Sequence, residues 1–105
     1  MKEGAVMNYK IYTIDEIKER FEKVADKYGI EEAYLFGSYA RGDATKKSDV
    51  DIFVKEGKIQ TLLQLCGFRL DVRDALKKEI DIVVDGGTNV EFERSIGKEL
   101  LKIYG

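Results

Sequence analysis

The sequence contains no histidine, no proline and only one cysteine in 105 residues. Without histidine there is no Ser-His or Cys-His catalytic pair, and the commonest general base and zinc ligand are missing. Acid-base or metal chemistry must then fall mainly on carboxylates, which favour hard cations such as magnesium or manganese. A lone Cys66 excludes an intrachain disulfide and fits a reducing compartment. No apolar run reaches membrane-spanning length, and the opening MKEGAVMNYK lacks an apolar signal core. These absences lead to the expectation of a cytoplasmic, non-membrane protein. The formal net charge is only -2, so no global field draws nucleic acid, and no stable nucleic-acid binding is expected.

Charge as such is plentiful. Charged residues make up 36% of the chain, against roughly 25% in ordinary soluble domains. Lysine and glutamate supply most of the excess, a trend of heat-adapted proteins. Hydrophobic residues, at 44%, suffice for one modest core, and 105 residues fit a single domain.

Thr13-Ile14-Asp15-Glu16 has the form of a capping box. Ile14, Ile17, Phe21, Val24, Ala25 and Tyr28 then recur at helical spacing before Gly29, which predicts a helix over 14–28. Ala33 to Phe36 reads as a first strand, Ser38 to Arg41 as one helical turn before Gly42, and Val50 to Val54 as a second strand. Residues 59–77 have a helical pattern, with Leu62, Leu65, Cys66, Val72 and Leu76 assigned to the inside. Cys66 is thus expected to be a small core residue. Ile80 to Val84 reads as a third strand, ended by Asp85-Gly86-Gly87. Thr88-Asn89-Val90-Glu91 offers another capping box, followed by a last helix with Phe92, Ile96, Leu100 and Ile103 on one stripe. The expected order is α-β-turn-β-α-β-α around a mixed three-stranded sheet. A short link makes the first two strands antiparallel neighbours, and a helical crossover brings in the third.

Asp49 and Asp51, two apart on one strand, share a face about 7 Å apart, while Val50, Ile52 and Val54 face the core. Asp81 interrupts the third strand in the same manner. If those strands are neighbours in suitable register, three carboxylates converge. Alone they repel one another, and a divalent cation reverses that sign. Two such ions, roughly 3.5–4 Å apart, are what phosphoryl or nucleotidyl transfer uses to hold attacking and leaving oxygens. Gly37 permits close backbone approach, and Ser38 offers a hydroxyl and amide groups suited to phosphate. Arg41, Lys46 and Lys47 lie in the loop between, where a guanidinium can clamp phosphate through two hydrogen bonds. Taken singly, each of these residues is more ordinary, a turn, a strand-end cap or a solvated loop; their spacing together carries the reading.

Gly37-Ser38, ten residues, then Asp49-Val50-Asp51 resembles the signature of the DNA polymerase beta-like nucleotidyltransferase superfamily. The fuller string GSYARGDATKKSDVDIFV is similar to its minimal nucleotidyltransferase (MNT) branch, with Asp81 at the position of the third carboxylate. The likeness covers roughly residues 14–105. The resemblance implies an α/β nucleotidyltransferase fold and an antitoxin that moves AMP from ATP to a tyrosine hydroxyl of a partner HEPN ribonuclease toxin, with which it can assemble. It further implies that Asp49, Asp51 and Asp81 are catalytic and bind two magnesium ions, or manganese. Asp81 would also help deprotonate the attacking hydroxyl, and Gly37, Ser38 and Arg41 would hold the nucleotide. A contact-only antitoxin and a transferase acting on a small molecule or RNA end remain open alternatives.

Overall fold

The computed structural model describes residues 11–55, 57–84 and 100–105. Helix α1 (Ile14–Tyr28) starts where Thr13 and Glu16 reciprocally cap each other's backbone, and it ends at Gly29 in the left-handed region at φ 64°. Strand β1 (Glu32–Phe36) runs directly into the five-residue helix α2 (Gly37–Arg41), which Gly42 closes. Strand β2 (Val50–Lys55), helix α3 (Leu62–Leu76) and strand β3 (Ile80–Val84) follow. A short strand β4 (Leu101–Tyr104) completes the described chain.

The four strands form one mixed sheet in the order β3-β2-β1-β4. β1 pairs antiparallel with β2 and β4, and β2 runs parallel to β3, as the helical crossover requires. Helices α1 and α3 cover one face. Ala33, Leu35, Val50, Ile52, Val54, Ile82 and Ile103 meet Ile17, Phe21, Phe68, Val72 and Leu76 there in one buried cluster. Edge-on ring contacts of Phe68 with Phe21 at 6.0 Å and with Tyr28 at 5.4 Å join the two helices. The opposite face carries Tyr34 and Phe53, paired across the strands with rings 6.5 Å apart, and, nearer the mouth of β2, Phe36 and Asp51. Among the described residues no helix is long and apolar enough to cross a membrane.

Three expectations are corrected. The sheet has four strands, not three, because Leu101–Tyr104 pairs with β1 instead of extending a last helix. Ile103 is buried as a strand residue, and Leu100 precedes the strand; the rest of that expected helix, with Phe92, Ile96 and the Thr88 cap, lies outside the described residues, as does Asp85-Gly86-Gly87. Helix α3 begins at Leu62, since Thr61 and Gln64 form a capping box of their own. Its buried side is Phe68, Val72 and Leu76, whereas Leu62 is 76% exposed and Cys66 is exposed. Apolar residues almost ring this helix, so periodicity could not select the face, and Cys66 fell just outside the buried arc.

Candidate active site

The site grows from the end of the sheet where β1 stops and β2 starts. Phe36 is extended, Gly37 turns the chain at φ 72°, and α2 leaves the sheet at once. Only glycine enters this conformation freely. Its missing Cβ matters a second way, because a Cβ there would overlap Asp51 Oδ2. The turn and the carboxylate are therefore packed against each other, as the pairing of Phe36 with Asp51 dictates.

Asp51 stands in register with Asp81 of the neighbouring parallel strand. Paired residues on adjacent strands project to the same side of the sheet, so the two carboxylates share one face. Asp49 lies just ahead of β2 and is exposed, as is Asp81, while Asp51 is half-buried. The effect on Asp51 is large. Burial first, then the charges of Asp81 and Asp49, push its carboxyl up to about 6 from 3.8, and the guanidinium of Arg41 pulls the other way. Two acidic neighbours and one basic one thus act on a single carboxylate from three different segments. Arg41 is itself exposed and its Nε lies 3.3 Å from Asp43 Oδ2. Lys46 and Lys47 are exposed in the same loop.

The convergence is not a closed cage. Among the described residues, no three acidic, histidine or cysteine side chains form a group ready to hold a metal ion. The donor chemistry nevertheless fits a hard divalent cation. It offers carboxylate oxygens alone, with no histidine in the chain and Cys66 away on α3. Chemistry, not concavity, marks the place: a cavity of about 420 Å³ bounded by Tyr28, Gly29, Lys58 and Gln64 lies at the other end of the sheet.

The sequence reading missed Lys78. It is 3% exposed, and its Nζ donates to the carbonyl of Lys46, 3.2 Å away, in the loop that leads to Asp49. In sequence it is one of two adjacent lysines after a helix, which look like solvated charge; nothing local marks the second as buried.

A glycine-turned strand end joined to carboxylates on two parallel strands is the arrangement of a nucleotidyltransferase. The family described as "Polymerase beta, Nucleotidyltransferase" matches residues 15–104, and the chain belongs to it. Methanocaldococcus jannaschii MJ0435, provisionally named a protein adenylyltransferase, is 37% identical over 70 residues, covering 67% of this chain and 75% of its own length. Protein adenylyltransferase MntA of Thermococcus cleftensis is 27% identical over 82 residues, covering 78% and 83%. Among solved structures, one provisionally described as a minimal nucleotidyltransferase superposes with a TM-score of 0.71 at 27% identity, covering 86% of this chain and 95% of that one. The MNT antitoxin complex with a tri-AMPylated Shewanella oneidensis HEPN toxin shares the fold, with a TM-score of 0.66 at 17% identity over 88% and 72% of the two chains.

Proposed function

We propose that the chain is a cytoplasmic antitoxin that transfers AMP from ATP to a tyrosine hydroxyl of a HEPN-type toxin and silences it, the whole chain acting as one nucleotidyltransferase domain. The observation that carries this reading is the placement of Asp51 beside Asp81 on the neighbouring strand, with Asp51 packed against the Gly37 turn. Further support comes from relatives named as protein adenylyltransferases and from fold neighbours described as toxin-antitoxin complexes, one of them with AMP-PNP.

Asp49, Asp51 and Asp81 would hold magnesium, which when bound neutralises the triphosphate and the developing charge. Gly37 and Ser38 present the backbone to the phosphates, and Arg41 adds a positive charge beside them. The tyrosyl oxygen attacks the α-phosphorus in line. The bond from that phosphorus to the α,β-bridging oxygen breaks and pyrophosphate leaves. Asp81, exposed at the mouth of β3, accepts the phenolic proton.

The test is incubation with ATP labelled at the α-phosphate, magnesium and a HEPN partner. Label is expected on the partner, dependent on magnesium and absent with Asp81→Asn. A partner that is silenced yet never labelled would make this a contact-only antitoxin. Label appearing only on RNA or a small molecule would move the acceptor to another class.

A further inference from the structure

We infer that Lys78 is a positioning residue that fixes the Asp49-bearing loop against the start of β3, an inference that rests on the proposed transfer reaction. Among the described residues Lys78 is the one charged residue that is buried. Burying an ammonium is costly unless it is hydrogen-bonded, and burial does lower its pKa. What meets it is specific. Its Nζ donates to the Lys46 carbonyl, and it lies 5.9 Å from the centroid of the Tyr12 ring. Tyr12 is itself anchored, because its hydroxyl donates to the Leu76 carbonyl at 2.6 Å and the Arg20 guanidinium lies 5.1 Å from its ring centroid.

The place of this contact gives it meaning. From Gly42 to Asp49 the chain is loop, held locally by a turn in which Ser48 N–H donates to Thr45 O at 3.1 Å and Thr45 N–H to Ser48 Oγ at 2.8 Å. That turn fixes the loop's own shape but not its position on the protein. Ala44 packs against the core at the loop's start, and two consecutive residues ahead of β3 tether its later half. The Lys78 side chain takes Lys46 O, and the Glu79 carbonyl accepts Val50 N–H at 3.0 Å. Asp49 lies between these two tethers, and Asp81 lies two residues beyond Glu79. The segment that delivers one carboxylate thereby locates the other. Lys77, at φ 54°, turns the chain out of α3 immediately before it.

The test compares Lys78→Met with a control, Val72→Ala, which loosens the core beneath helix α3 without touching the loop. In the metal-free protein, amide exchange at Ser48 and Val50 should quicken about tenfold in Lys78→Met relative to amides of α1 and β1. Val72→Ala should speed exchange without singling out those two positions. In the transfer assay, Lys78→Met should lower kcat on the order of 100-fold with the KM for ATP little changed, since a carboxylate displaced by about 1 Å costs that much. Uniform quickening in both variants, or undiminished kcat per folded Lys78→Met molecule, would overturn the inference. An unsubstituted chain that transfers no label would instead overturn the functional reading, and the exchange comparison alone would then decide whether Lys78 holds the loop.

Discussion

Asp51→Asn is expected to abolish AMP transfer and, at neutral pH without metal, to make the protein more stable. Both effects come from the same charge. In the folded chain the Asp51 carboxyl is raised to about 6, chiefly by burial and then by Asp81 and Asp49. A group whose folded pKa lies above its unfolded value favours folding in its protonated form. Its stabilising contribution is complete below about pH 4 and is lost as pH rises through 6. Ionised at pH 7, Asp51 therefore opposes folding by about 1–2 kcal/mol, once the shift is reduced for the solvent that a half-buried carboxylate still meets. Asparagine keeps the shape and removes the charge. Urea denaturation at pH 7 in chelator should show the gain, which should shrink toward pH 4. Magnesium with nucleotide should reverse the order, stabilising the unsubstituted chain and not the variant. A variant less stable than the parent in chelator would remove the electrostatic part of the account.

Gly37→Ala carries the second large effect. Alanine at φ 72° costs about 1–2 kcal/mol in backbone strain alone, and its Cβ would also overlap the Asp51 carboxylate. The carboxylate must then move off its position beside Asp81, so activity should fall with stability. The two costs separate in a double-mutant cycle. With Asp51→Ala the overlap disappears and only the backbone strain remains. Denaturant midpoints should give a coupling of about 1 kcal/mol or more between positions 37 and 51. Strict additivity would show that the glycine serves the turn and not the carboxylate.

The parts of the protein written in local chemistry were legible from its letters. The Thr13–Glu16 box and Gly29 bound α1 at both ends. The one-turn helix ending at Arg41 and the α3 crossover into the same sheet were legible from spacing, while the parallel register that sets Asp51 beside Asp81 was only a condition in the sequence and is met in the sheet. Elements defined by what lies across from them were not. β4 is set by the edge of β1 that it pairs with, and its buried Ile103, three residues after Leu100, also fits helical spacing. The face of α3 depends on where α1 packs, so helical spacing alone puts Leu62 and Cys66 inside and does not single out Phe68. Lys78 is invisible for the same reason, since its acceptor lies 32 residues away in the chain. Within the site, the three acidic positions stand out in the sequence, but whether their side chains form one ready group does not, because side-chain conformation leaves no mark on sequence pattern.

The central claim is that these carboxylates are a divalent-cation site serving a nucleotide. Manganese titration followed by electron paramagnetic resonance, with a non-hydrolysable ATP analogue present, tests it most directly. Saturable binding to the native chain, weakened by Asp49→Asn and Asp81→Asn and lost in Asp51→Asn, is the predicted result. Equal binding by all four proteins, or none by the native chain, would contradict it.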